Sequence, residues 1–156
     1  MGLDMYLNAR RPFYSWGPES NEEIVNKMTE LLPELAGRIN HWNEHVTVES
    51  VTVEIAYWRK ANQIHNWFVT NIQDGEDNCK RYFVERGQLK SLRDTCQKVL
   101  DDNMLARILL PTASGCFFGS TDYDESYFCD LENTIGQIDE ALTLPDTWTF
   151  EYQSSW

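Results

Sequence analysis

The chain has 156 residues, 42% hydrophobic and 13% aromatic, with 25 acidic against 13 basic side chains and a net charge of −12. A chain of this length buries roughly 68–70% of the surface its unfolded form exposes, so it needs neither metal nor disulfide to hold a core, and its aromatic content excludes a solvated coil. Its longest apolar runs, such as residues 104–110, fall far short of the about 20 residues of a helical membrane span.

Residues 1–6 show no basic region followed by an apolar run, and Tyr6 stands where a myristoylation signal wants Ser or Thr, so neither export nor a lipid anchor is expected. Cys79, Cys96, Cys116 and Cys129 form no Cys-x-x-Cys pair. Reduced, mostly buried thiols in a cytoplasm are the expectation, with no cofactor and no metal.

Leu3, Met5 and Leu7 alternate with polar neighbours as in a half-buried strand, which Arg10, Arg11 and Pro12 should stop. Ser20 and Glu23 form a capping-box pair before an apolar stripe at helical spacing, predicting a helix over residues 21–39 bent near Pro33. Val46 and Val48 are apolar at even positions, but Val51, Val53 and Ile55 at odd ones, so a bulge or tight turn is expected at Glu49 and Ser50. The spacing then predicts a helix from about Tyr57 to Ile72, ended by the turn-forming residues 73–77.

A short strand near residues 82–84 leads into a helix with a narrow stripe of Leu89, Leu92, Cys96, Val99 and Leu100. Residues 107–110 and 116–118 read as two short strands around a loop. Ser120, Thr121 and Asp122 cap a helix carrying Phe128, Leu131, Ile135, Ile138 and Leu142, and Trp148, Phe150 and Tyr152 alternate as a final strand. The order of elements predicts an α+β fold, a single domain over residues 1–156 with a mainly antiparallel sheet packed against three or four helices.

On a helix beginning at Tyr57, His65 falls inside the apolar arc with Trp58, Ala61, Ile64 and Phe68. It is either a buried, hydrogen-bonded imidazole or an acid–base or ligand-contact group. Trp67 falls on the opposite side, beside Lys60 and Gln63. That places an indole, an ammonium and an amide on one outward patch, unless another part of the chain covers Trp67.

After Arg107 there is no Lys, Arg or His, while Asp122, Asp124, Glu125, Asp130, Glu132, Asp139, Glu140, Asp146 and Glu151 supply nine negative charges. These acids avoid the apolar stripe of their helix, so a sustained negative surface is expected, serving solubility or meeting a basic partner. Direct nucleic-acid binding by this end is excluded by like charge. His41, Glu44 and His45 match the H-x-x-E-H pattern of inverted zinc peptidases, but a five-residue match without a defined third ligand carries little weight. Residues 115–121 are Gly-punctuated yet lack the Lys of a phosphate loop, and no calcium loop or serine elbow is present.

The segments MGLDMYL (1–7), EIAYWRKAN (54–62) with Ile64, His65, Trp67, Phe68 and Val69, FFGSTDYDE (117–125) and YQSSW (152–156) resemble an uncharacterised family of small phage and prophage proteins. Against that pattern, residues 13–45 look like a helical insertion, which lowers the weight of His41 and His45. The resemblance emphasises Trp58, Arg59, Lys60, Asn62, His65 and Trp67, and it implies an accessory protein acting in host cytoplasm, with antagonism of a bacterial defence system a common task for such proteins.

Three functions compete. The first is a non-enzymatic binding protein that inhibits or modulates a host protein through its acidic surface. The second is a small-ligand binder, a sponge for a nucleotide-like signal, with Arg59 and Lys60 meeting phosphate and Trp58 or Trp67 stacking a base. The third is a hydrolase or transferase using His65 with a nearby carboxylate.

Overall fold

Alternate residues from Leu3 to Ala9 are fully buried, and this period of two builds the first strand, β1 (Asp4–Pro12). The computed structural model describes residues 2–13, 23, 24, 27, 30, 31 and 49–156. Its further elements are β2 (Ser50–Arg59), α1 (Asn62–Asn71), β3 (Tyr82–Val84), α2 (Arg86–Asp101), a 3₁₀ turn (Asn103–Leu105), α3 (Ala106–Leu109), α4 (Glu125–Leu142) and β4 (Thr149–Ser155). The strands form one antiparallel sheet in the order β2-β1-β4-β3, so the fold is α+β as expected. In the β3–β4 pair Tyr82 lies opposite Tyr152 and Val84 opposite Phe150.

Two compact units divide the chain: Met1–Ala9 with Val53–Trp156, and Arg10–Thr52. In the second, the backbone N–H of Phe13 donates to the Glu49 carbonyl (2.8 Å), Arg10 Nε donates to Ser50 Oγ (3.2 Å), and Lys27 pairs with Glu23. Most of the helix expected over residues 21–39, the alternation at Val46 and Val48, and His41 and His45 lie outside the described residues.

In the first unit the core lies where the inward side chains of the sheet (Leu3, Met5, Leu7, Trp58, Phe150 and Tyr152 among them) meet the helices. Helices α2 and α4 pack together, with Leu89, Leu92, Cys96 and Val99 from one and Leu131, Ile138 and Ala141 from the other all buried. The narrow stripe expected for α2 is therefore a helix–helix seam. Its start is held by Gln88, whose Oε1 accepts from the Glu85 N–H (2.8 Å).

Several boundaries differ from expectation, each for a physical reason. β1 runs on through Arg10 and Arg11 to Pro12. Tyr57, Trp58 and Arg59 belong to β2 and not to a helix, and the inward positions there are Ala56 and Trp58, whereas Val53 faces outward. Trp58 satisfies a period of 2 with Ala56 as well as a helical period with Ala61, so local spacing does not separate the two. The break comes at Lys60, which adopts a left-handed conformation (φ 60°) without any Gly or Pro to announce it.

Residues 107–110 are not a strand: Ala106 and Leu110, four apart, both face the core while Ile108 is exposed, which is helical spacing. Residues 116–118 are a turn with Phe117 at φ 65°. The Phe118 ring folds back on Gly115 so closely that a Cβ there would lie 2.5 Å from it. Helix α4 begins at Glu125, capped by Asp124, whose Oδ1 accepts from the Tyr127 N–H (3.1 Å), rather than at residues 120–122. All four cysteines are free, but only Cys96 is fully buried; Cys116 and Cys129 are exposed. No described helix is long and apolar enough to cross a membrane.

Candidate functional site: a charged cleft beside a closed histidine relay

Helix α1 turns His65 into the core, where it is 1% exposed. Its Nδ1 lies 2.8 Å from Tyr152 Oη and its Nε2 3.0 Å from Asp77 Oδ2, and the other Asp77 oxygen accepts from Trp156 Nε1 (3.0 Å). With a neutral imidazole and an ionised carboxylate, Nε2 donates to Asp77 and Nδ1 accepts from the tyrosine hydroxyl. Burial raises the pKa of that hydroxyl well above the ordinary tyrosine range, so it stays protonated as the donor this arrangement needs.

Tyrosine, histidine and aspartate in series would suit general-base chemistry, but here the chain is closed. Tyr152 is fully buried with its ring stacked on Phe68 at 3.8 Å, so no substrate reaches its oxygen. The arrangement therefore ties α1, β4 and the turn after α1 together, and the buried reading of His65 applies.

The remaining residues singled out by sequence part into two groups. Trp58 and Trp67 are core residues. Trp58 donates from Nε1 to Thr134 Oγ1 (2.9 Å). Trp67 is 8% exposed, stands edge-on to Phe68, and lines a groove with Leu109, Leu110 and Pro111. The expected outward patch of Trp67, Lys60 and Gln63 does not exist, because Lys60 precedes the helix and Trp67 and Gln63 are buried. Neither tryptophan is free to stack a base, which removes the platform of the nucleotide reading.

Arg59 and Lys60 do meet other predicted residues. With Gln63 they line a cleft of about 140 Å³ together with Gly119, Ser120, Asp122, Asp124, Ser126, Tyr127 and Asp130. Asn62 builds it: fully buried, it donates from Nδ2 to the carbonyls of Phe118 (3.1 Å) and Ser120 (2.8 Å) and accepts from the Ala113 N–H (3.0 Å). Gly119, at φ 93°, lets the loop approach Lys60, whose carbonyl oxygen would stand 3.3 Å from a Cβ at that position. The segments 54–62 and 117–125 are thus joined side by side at this cleft.

Within it, Gln63 is buried and donates from Nε2 to Asp130 Oδ2 (3.1 Å). Burial raises the Asp130 carboxyl pKa above the usual range, the Gln63 hydrogen bond pulls it back and Asp124 adds to the rise. Asp122 is held by Ser120 Oγ, which donates to it (3.1 Å). Arg59 Nε is 3.9 Å from Asp4 Oδ1, and Asp4 also accepts from the Tyr57 hydroxyl, raising the tyrosine's pKa.

Glu125, Glu132, Asp139 and Glu140 lie outside the cleft on the exposed side of α4. Asp139 is engaged by Arg93, through Nε (3.0 Å) and a second guanidinium nitrogen (3.3 Å). Glu125, Glu132 and Glu140 have no ion-pair partner among the described residues. Also among the described residues, no three His, Cys, Asp or Glu side chains converge closely enough to hold a metal ion.

Sequence reasoning missed Asp77 and Tyr152 as partners of His65, and Ser126 and Tyr127 as cleft residues. Only Asp124, an acid inside the 117–125 segment two residues before Ser126, could have pointed to the last two. No protein-family model, curated protein or solved structure matches the chain.

Proposed function

We propose that the protein is a non-enzymatic binding protein that docks on a basic protein partner through the exposed side of α4. The observation that carries this reading is the ridge of Glu125, Glu132 and Glu140, three exposed carboxylates without a cationic partner among the described residues. They sit on a helix held by the buried α2 seam, in a stretch of chain that carries no cation after Arg107. A rigid row of unneutralised charge steers a basic partner and penalises an acidic one, and affinity would come from desolvated contacts beside it. The closure of the His65 relay supports binding over catalysis.

The partner class we infer is a host protein, with the chain acting as a phage-borne inhibitor or modulator of a defence protein in the host cytoplasm. That part rests on the resemblance of the segments at 1–7, 54–69, 117–125 and 152–156 to phage and prophage proteins.

The test is recovery of the tagged protein from host lysate at low salt, with native mass spectrometry of the complexes and a parallel Glu125→Lys, Glu132→Lys, Glu140→Lys triple variant. The expected complex weakens with salt and is lost in the triple variant but kept in a Glu54→Lys control, which reverses an exposed charge on β2. A complex indifferent to the triple reversal, or no complex at all, removes this reading.

A further inference from the structure

The cleft carries a property that the acidic ridge does not: both signs of charge in one small space. Arg59 and Lys60 come from the end of β2, and Asp122, Asp124 and Asp130 from the facing loop and α4. At about 140 Å³ it is smaller than the roughly 300–1,000 Å³ of ordinary small-molecule pockets, so it suits a unit the size of one amino acid.

The walls are set before any ligand arrives. A methyl group on Gly119 would lie 3.1 Å from Lys60 Cβ, and one on Gly2 3.5 Å from Lys60 Cε, so the lysine stem is laid along the backbone. Its ammonium has no carboxylate partner among the described residues. Gln63, only 3% exposed, spends its amide nitrogen on Asp130, while its Oε1 has no hydrogen-bond partner among the described residues. That oxygen keeps contact with solvent and can accept from an N–H donor.

Charge chooses the ligand class. Two cations against three carboxylates give the lining both signs of charge, which suits a ligand that carries a cationic group for the carboxylates and an anionic group for Arg59 and Lys60. Among the described residues these carboxylates do not form a group of three that could hold a metal ion, whereas a guanidinium or ammonium presents several N–H donors in different directions.

We propose that this cleft binds a basic α-amino-acid unit, its cationic side chain among Asp122, Asp124 and Asp130 and its carboxylate against Arg59 and Lys60. The unit occurs both as free arginine or lysine and as the C-terminal residue of a peptide. The proposal does not depend on the protein-docking reading, because its test needs only the purified chain.

The experiment is isothermal titration calorimetry with L-arginine, L-lysine, agmatine, a short peptide ending in arginine, and that peptide with its C-terminus amidated. Arginine or lysine should bind, with agmatine and the amide at least about tenfold weaker, since each lacks the carboxylate. Lys60→Met and Asp130→Asn should each weaken binding about tenfold or more. Ser126→Trp, at an exposed position whose side chain makes no hydrogen bond among the described residues, should abolish it by filling the cleft.

Glu54→Gln should bind as the parent does. Binding of the free amino acids points to a small metabolite, and binding of the peptide alone points to a chain terminus; either supports the site. No heat with any of these at millimolar concentration, agmatine as tight as arginine, or binding untouched by Lys60→Met and Ser126→Trp overturns it.

Discussion

Asn62 hydrogen-bonds the Ser120 carbonyl at 2.8 Å across 58 residues of sequence, and the same amide nitrogen reaches Phe118 at 3.1 Å. One buried carboxamide thus joins the start of α1 to the loop that forms the far wall of the cleft. Asn62→Ala leaves a part-buried N–H and two carbonyls without that partner. The expected cost is about 2–3 kcal/mol, seen as a fall in Tm of about 5–10 °C. Asn62→Asp should be at least as damaging, because it keeps the acceptor for Ala113 but turns a carboxylate toward two carbonyl oxygens. Urea denaturation of the two variants checks the order.

Trp67 behaves as a core residue in this fold. Trp67→Ala should cost about 3–5 kcal/mol, the range for removing a large buried aromatic, with an unchanged urea m-value. An exposed binding indole would instead cost within about 0.5 kcal/mol.

The thiols should divide by burial. Desolvation pushes the Cys96 pKa up to about 12, so at pH 8 it holds almost no thiolate. Alkylation followed by mass spectrometry should label the exposed Cys116 and Cys129 quickly, the half-buried Cys79 more slowly and Cys96 only after unfolding. Rapid labelling of Cys96 in the folded protein would mean that the α2–α4 seam opens.

Asp130 sets a pH dependence whose sign follows from its raised pKa. A carboxyl that binds its proton more tightly when folded contributes stability at low pH. That contribution is lost as pH rises from the ordinary unfolded value of about 3.9 through the higher folded value. Asp130→Asn can keep an oxygen for Gln63 and carries no titration. Its stability relative to the parent should therefore improve as pH rises across that window and then level off. Parallel chemical denaturation across the acid range measures it, and a variant stability that falls relative to the parent as pH rises would contradict the assignment.

What the sequence determined by itself is what local spacing encodes. Leu3, Met5 and Leu7 mark a strand, Leu89, Leu92, Cys96 and Val99 a narrow helical seam, and Phe150 and Tyr152 a closing strand, because burial of one face imposes a period on neighbouring residues. The acidity of the last third and the inward side of His65 are legible in the same way. Tertiary structure alone decided that Trp58 lies in a strand, that Trp67 is buried, that His65 meets Tyr152 and Asp77, and that Arg59 and Lys60 share a cleft with Asp122, Asp124 and Asp130. The break at Lys60 is a left-handed residue without a glycine to signal it. The partners it separates or brings together lie tens of residues apart, beyond the reach of any periodicity, so only the packed chain chooses among them.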